Sequence, residues 1–465
     1  MNSLAQDLNR ILGATQVLTA REDLLPYAND ATHYFKSRVP DAVVLPHNTE
    51  EVAKVMKYAF EHEIPVTPRG AGSGLSGGCT PVKGGIVMDM KRLNHILEID
   101  KSNMTAEVEA GVVLDRFQNK LEKHRLFYPP DPQSASVCTI GANVATRAGG
   151  PRGVKYGTTG RYVLGMEVVL PDGSIINPGG KVVKQSVGYD IPHLMTGSEG
   201  TLGVITSVNL RLLPLPEFTK TVVVVCETLD QAAELVAEII AQGAVPAMLE
   251  FLVKLAITVM NTQFAEPLPE DGEAYLFMLF DGTEAQVEAE AEIVNQICHD
   301  MKVKEVRVID DLKVANTYWA ARANAYPLIQ TIFDRANSED ITVPRNRIPD
   351  LVRATQAISS SLGVMIGLAG HAGDGNMHPS ILYPEVTPEA EAKAKKAIDQ
   401  LIRLGLDLGG TISGEHGIGI HKAEYLAWEL SDTQIELMKR IKYAFDPKNI
   451  MNPGKIWVEE GHENV

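Results

Sequence analysis

Two short glycine-rich segments hold the residues with the clearest chemical potential. Gly370-His371-Ala372-Gly373-Asp374-Gly375-Asn376-Met377-His378 sets two imidazoles at the ends of a loop. Ser413-Gly414-Glu415-His416-Gly417-Ile418-Gly419 adds a carboxylate and another imidazole. A catalytic divalent-metal site needs three protein ligands, an open coordination position and a base beside it. His371, His378 and Glu415 suit the ligands, and His416 suits the base. A lone histidine is usually a solvated or satisfied polar group. That plainer reading is kept for His33, His47, His62, His95, His124, His193, His299, His421 and His462.

A third segment, Pro68-Arg69-Gly70-Ala71-Gly72-Ser73-Gly74-Leu75-Ser76-Gly77-Gly78, carries Gly72, Gly74 and Gly77 at Gly-x-Gly-x-x-Gly spacing. A dinucleotide-binding βαβ unit requires that motif to open directly into a helix. Here Cys79-Thr80-Pro81-Val82-Lys83-Gly84-Gly85 follows and cannot run as helix. Successive glycine N–H groups can still cradle phosphates as a nest. Two further glycine-rich stretches, from Ile140 to Gly157 and from Gly197 to Thr206, would let a flat ligand lie close to backbone. Pro129-Pro130-Asp131-Pro132 stiffens the approach to the first of these.

The elements around these loops are legible as strands and amphipathic helices. Ala42 to Leu45 reads as a strand, and Asn48 caps a helix with Glu51 three residues on. Val52, Val55, Met56, Ala59 and Phe60 mark its buried face. Ile64 to Thr67 and Ile86 to Met90 read as strands flanking the glycine loop. Hairpins are expected over 96–112 and 166–177. Leu213-Pro214-Leu215-Pro216 marks a domain boundary. Beyond it a strand–helix unit occurs twice, at Thr221 to Gly243 and again from Tyr275. Thr228/Gln231 and Thr283/Gln286 are expected as capping boxes. Such repeats suggest an antiparallel α+β layer. Apolar strands flank the histidine loop between Val364 and Tyr383. Helices follow from about Pro388 to Leu408 and near Thr433 to Phe445.

The chain has 465 residues, enough for two or three domains. Its net charge of -16 opposes binding to nucleic acid or anionic lipid. Cys79, Cys138, Cys226 and Cys298 are scattered, with no Cys-x-x-Cys pair to hold iron–sulfur or zinc. No apolar run approaches the roughly 18 residues of a transmembrane span. No signal-peptide pattern opens the chain, so a cytoplasmic location is expected.

Taken in order, these segments resemble the FAD-linked oxidases of the vanillyl-alcohol-oxidase flavoprotein superfamily. The resemblance covers about Pro40 to Ile456. Within the superfamily it is to the 2-hydroxy-acid dehydrogenase branch: glycolate oxidase catalytic subunit, D-lactate dehydrogenase and D-2-hydroxyglutarate dehydrogenase. The implied fold is α+β. A two-subdomain FAD-binding domain spans 1–215, an antiparallel α+β substrate (cap) domain spans 216–410, and a C-terminal helical segment, 411–465, returns to the FAD domain.

The resemblance also implies residue roles. Pro68, Arg69, Gly70, Ala71, Gly72 and Ser73 would cradle the FAD pyrophosphate. Pro130, Asp131, Gly141, Asn143, Gly150 and Tyr156 would line the rest of the flavin, with Gly203 and Ile205 beside the adenine half. Asn452 and Lys455 come from the C-terminal signature Asn452-Pro453-Gly454-Lys455-Ile456. His371, His378 and Glu415 would hold one divalent ion (zinc, iron or manganese), and Asp374 would orient a ligand histidine. His416 would accept a proton. Arg322, in Trp319-Ala320-Ala321-Arg322, would anchor a substrate carboxylate.

Ser73 stands where some relatives carry a flavin-linking histidine, which implies non-covalent FAD. Ala142 and Arg147 stand where the family usually has Gly and Asn. The implied reaction is oxidation of a small D-2-hydroxy acid, D-lactate or glycolate, with hydride transfer to flavin N5. Electrons would pass to a protein partner such as electron-transfer flavoprotein. Two alternatives are an FAD-binding electron-transfer or scaffold subunit without turnover, and a flavin-free metal hydrolase.

Overall fold

The computed structural model describes residues 3–32, 38–264 and 267–458. His33 and His462 therefore lie outside the described residues. The chain divides into two compact units. One comprises Met1–Gly149, Thr158–Leu215 and Glu415–Val465; the other comprises Gly150–Gly157 and Pro216–Gly414. No helix among the described residues is long and apolar enough to cross a membrane.

The first unit holds two main sheets. In one, the strands run in the order Val17–Leu18, Ala42–Val44, Ile86–Asp89, Val66–Arg69, the last three parallel. Parallel strands are covered on both faces, and every residue of Ala42–Val44 and Ile86–Asp89 is buried. The helix Thr49–His62 starts where Asn48 accepts the Glu51 N–H. It packs Val52, Val55, Met56 and Ala59 into the same core as Val66 and Met88. No helix follows Val66–Arg69, so the glycine loop stays open backbone between two parallel strands.

The second sheet of this unit is antiparallel, in the order Ile96–Asp100, Thr105–Glu109, Val204–Arg211, Val163–Val169, Ile175–Ile176. Both expected hairpins form. Val204–Arg211, hidden in sequence behind its glycine-rich lead, inserts between them as the central strand. The stretch after Thr139 becomes a helix, Ile140–Thr146, ended by Arg147 in the left-handed region at φ 54°. That region is usually left to glycine or asparagine, so Arg147 is an uncommon occupant.

The second unit is built on one large antiparallel sheet. Its order is Glu305–Ile309, Phe218–Cys226, Ala274–Gly282, Met248–Val253, Met365–His371, Asn376–Tyr383, Arg335–Ser338. The short strand Ile341–Thr342 also pairs with Asn376–Tyr383. The two strand–helix repeats are present, with helices Leu229–Ala241 and Glu284–Asp300. Thr228 and Thr283 each accept the expected N–H, from Gln231 and Gln286. The reciprocal halves of those boxes are not made: Gln231 Oε1 accepts from Glu227 N–H, and Gln286 Nε2 donates to Glu290. A complete box forms instead at Ser431 and Gln434, ahead of the helix Asp432–Phe445.

Candidate active site

The histidine segment folds as a tight hairpin. Met365–His371 pairs with Asn376–Tyr383, with His371 opposite Asn376 and Ala369 opposite His378. Partners across a ladder share a face, and so do residues two apart on one strand. His371 and His378 therefore project together, their ring centroids 5.1 Å apart and nearly perpendicular. Gly375 adopts φ 89°, and a Cβ there would stand 2.1 Å from the Val343 carbonyl oxygen, so only glycine closes this turn.

Each imidazole is oriented through Nδ1. Glu250 Oε1 lies 2.7 Å from His371 Nδ1, and the Glu339 carbonyl oxygen lies 3.1 Å from His378 Nδ1. Both partners are acceptors, so each Nδ1 carries the proton and each Nε2 carries the lone pair a metal takes. The Asp374 carboxylate accepts the Asn376 N–H and caps the turn. Glu250 is completely buried on the strand Met248–Val253 and also pairs with Arg322. Burial pushes its carboxyl up, yet the His371 hydrogen bond and the Arg322 guanidinium outweigh that and hold it below the ordinary carboxylate range.

Glu415 follows Gly414 directly. The donor atoms of His371, His378 and Glu415 all lie within 4.8 Å of one another, a span one ion can bridge. His416 Nε2 stands 4.0 Å from Glu415 Oε1. Gly149 makes room for this carboxylate, since a Cβ there would approach Glu415 Oε2 to 2.5 Å.

The segment carrying His416 is sewn to the glycine loop. Ser76 Oγ donates to the His416 carbonyl, and the Ile420 and His421 N–H groups donate to the Ser76 carbonyl. Glu199 accepts the N–H groups of Ile418 (2.8 Å) and Gly419 (2.7 Å). Burial pushes the Glu199 carboxyl up, against the pull of those two donors. Asn452 Nδ2 donates to the carbonyls of Gly78 and Glu199, and Lys455 Nζ donates to that of Thr80. The two C-terminal signature residues thus hold the same loop.

The glycine loop suits a phosphate-bearing ligand. The N–H groups of Ala71, Gly72, Ser73 and Gly74 make no hydrogen bond among the described residues. Gly72 has φ 74°, and a Cβ at Gly70 would meet Thr139 Oγ1 at 2.4 Å, so the loop lies on the start of the helix Ile140–Thr146. Thr139 Oγ1 and Ser198 Oγ are buried without a partner among the described residues. Open N–H groups and unpartnered hydroxyls suit the phosphates and polar edge of FAD.

Arg69 is buried beneath this loop. Its guanidinium donates to the carbonyls of Asn29 and Pro26 and to Cys79 Sγ. Gly141 and Asn143 are buried on the helix Ile140–Thr146, with Asn143 Nδ2 donating to Cys138 Sγ. Pro68 is the partly buried third residue of Val66–Arg69, and Ile205 lies in Val204–Arg211 with Gly203 just before it. Gln118 Nε2 donates to the Pro130 carbonyl, with Asp131 next in the chain. Gly150 and Tyr156 belong to the second unit, where Tyr156 OH donates to Asp281 Oδ2. Arg322 sits on the helix Leu312–Ile332, only 7% exposed, with Nε unpartnered among the described residues. Sequence reasoning missed Glu250 and Glu339. Glu199 lay inside a flagged glycine stretch, where an acid among glycines was the available signal.

Residues 40–179 match the profile described as FAD binding domain, and residues 215–456 match FAD linked oxidases, C-terminal domain. The glycolate oxidase subunit GlcD of Bacillus subtilis is 40% identical over 441 residues, covering 95% of this chain and 94% of that protein. A D-lactate dehydrogenase of Anaerostipes hadrus is 37% identical, covering 92% of each chain. Among solved structures, p-cresol methylhydroxylase superposes with a TM-score of 0.82 at 19% identity, covering 99% of this chain and 98% of that one. Alkyldihydroxyacetonephosphate synthase gives 0.79 at 18%, covering 97% and 84%. At such identities these structures speak to fold alone.

Proposed function

Because this chain belongs to the FAD-linked oxidases and is an FAD-dependent oxidoreductase, we propose that it dehydrogenates a small D-2-hydroxy acid with the help of a divalent ion. The observation that carries the reading is the His371–His378–Glu415 donor set with His416 beside it. The substrate class follows from relatives named glycolate oxidase and D-lactate dehydrogenase. Lactate and glycolate differ by one methyl group, worth about 1–3 kcal/mol of discrimination.

When bound, FAD supplies the two-electron acceptor and the ion supplies Lewis acidity toward a hydroxyl and carboxylate. The remaining work falls to side chains. His371, His378 and Glu415 hold the ion, and zinc, iron and manganese all accept such a set. Glu250 and the Glu339 carbonyl keep the two rings turned so that Nε2 is offered. His416 takes the proton of the substrate hydroxyl, as an imidazole near neutral pH can. Arg322 anchors the substrate carboxylate, with Glu250 holding its guanidinium in place. The loop from Pro68 to Ser73 would hold FAD non-covalently, and acid precipitation should release it. Electrons leave to a protein partner, for which electron-transfer flavoprotein is the first choice; a coupled assay in which it stays oxidised would remove it.

The deciding experiment is anaerobic. Chelator-treated protein mixed with D-lactate or glycolate should keep its flavin absorbance, and added zinc, iron or manganese should restore bleaching. Full bleaching without metal would eliminate the ion. Absence of bleaching by any 2-hydroxy acid in metal-loaded protein would favour a non-catalytic FAD-binding subunit.

A further inference from the structure

Two residues of the signature loops, Asn376 and Ser413, are neither metal ligands nor bases, yet both point at one acid outside either loop. Asp340 is completely buried. Its Oδ1 accepts from Asn376 Nδ2 at 2.6 Å, and its Oδ2 accepts from Ser413 Oγ at 2.8 Å. Asn376 Nδ2 also donates to Thr342 Oγ1 at 2.9 Å. We propose that the Asp340 carboxylate is a positioning residue that locks the histidine hairpin to the loop ending at Glu415, and so sets the affinity of the ion site.

The argument is one of buried polarity. A carboxylate away from water is tolerated only when donors reach it, and leaving one unmade is costly. One donor comes from the turn between His371 and His378; the other lies two residues before Glu415. Satisfying both oxygens therefore fixes the spacing of two segments that sequence separates widely. The backbone around Asp340 reinforces the lock. Ile341–Thr342 pairs with Met377 and Asn376, the Thr411 N–H donates to the Thr342 carbonyl, and the Val343 N–H donates to the Gly375 carbonyl. Glycines allow the close approach. A Cβ at Gly410 would stand 2.0 Å from the Thr342 carbonyl oxygen, and one at Gly414 would stand 2.2 Å from Thr342 Oγ1 and 2.4 Å from Asn376 Nδ2. The residue just before Asp340 contributes too, because the Glu339 carbonyl orients His378. Hydrogen-bonded groups one step removed from a metal commonly alter its affinity by roughly 10–100-fold.

The inference rests on the ion reading above, so its test has an arm that needs no metal. FAD-loaded full-length protein, stripped with chelator, is titrated with Mn²⁺ and free Mn²⁺ is read by electron paramagnetic resonance. Amide exchange of 411–415 is measured in the metal-free protein. Asp340→Ala should weaken Mn²⁺ binding roughly 10–100-fold and speed exchange at 411–415. Ser413→Ala, which removes one of the Asp340 contacts, should move both readouts the same way but less. Unchanged Mn²⁺ affinity and unchanged exchange in a folded Asp340→Ala protein would overturn the proposal. Should Asp340→Ala fail to fold, Ser413→Ala decides by the same two criteria. If wild-type protein takes up no Mn²⁺ while the variants still loosen 411–415, the ion reading falls, and the lock stands as a structural device only.

Discussion

The Glu250 carboxylate and the His371 imidazole form a buried pair, Oε1 to Nδ1 at 2.7 Å, although 121 residues separate them in the chain. A carboxylate behind a ligand histidine fixes its tautomer and makes it a stronger donor. The same carboxylate balances the buried Arg322 guanidinium. Glu250→Gln should weaken metal binding roughly 10–100-fold, and it should lower stability by about 3–5 kcal/mol because Arg322 loses its counter-charge. Competition with a chromogenic chelator and urea unfolding measure the two effects separately. A loss of stability with metal affinity intact would confine Glu250 to the ion pair.

His416→Ala should leave FAD and metal content unchanged, because the His416 carbonyl that accepts from Ser76 is backbone and survives the substitution. Flavin reduction by D-lactate should fall about 10²–10⁴-fold, the usual contribution of a positioned base. Anaerobic stopped-flow absorbance is the measurement, and a wild-type rate would remove His416 from the proton step.

Gly419 has φ 52°, and a Cβ there would stand 2.0 Å from the Ser76 carbonyl oxygen. Gly419→Ala must push apart the segment carrying His416 and the glycine loop. The expected cost is about 1–3 kcal/mol in stability, with faster FAD loss on gel filtration. Gly180→Ala, where a Cβ meets nothing within 4 Å, serves as the comparison and should behave like wild type.

Burial pushes the thiols of Cys226 and Cys298 up to about 12, and that of Cys138 upward as well. The thiolate is the reactive form, so these three should resist a disulfide reagent at pH 8 in folded protein and react once it is denatured. The folded values lie above the unfolded one, so the neutral thiols favour the folded state at neutral pH. That contribution should fade as pH rises from the ordinary thiol value toward about 12. Urea midpoints measured across pH 8 to 11 (roughly the window that precedes general alkaline damage) would show the decline.

Much of the fold was legible because its signals are local. Asn48 with Glu51 marks a helix start, apolar spacing marks the buried face of Thr49–His62, and repeated strand–helix units mark the second unit's sheet. The proline after the glycine loop correctly ruled out a helix there. Val204–Arg211 was missed because Gly197, Gly200 and Gly203 mask its alternating tail, although the strand ends up between two hairpins that were seen. His371 and His378 were legible as a pair because glycine spacing advertises a turn. The groups that orient them were not: Glu250 is an ordinary acid in an ordinary strand, and Glu339 acts through a backbone carbonyl that no side-chain pattern marks. Arg69 shows the same gap from the other side. Its place in the motif suggested phosphate contact, while its guanidinium is occupied by the carbonyls of Asn29 and Pro26.

Ser76 reaches across 340 residues to the His416 carbonyl, and Gly78 and Thr80 wait for Asn452 and Lys455. On a ribosome adding about 5–20 residues per second, that is roughly 20–70 s between emergence of the loop and arrival of its fastenings. The nascent cradle is thus unfinished throughout translation of the intervening domain. Flavin capture becomes a late event, and a ribosome stalled before Asn452 leaves a glycine loop without those two fastenings.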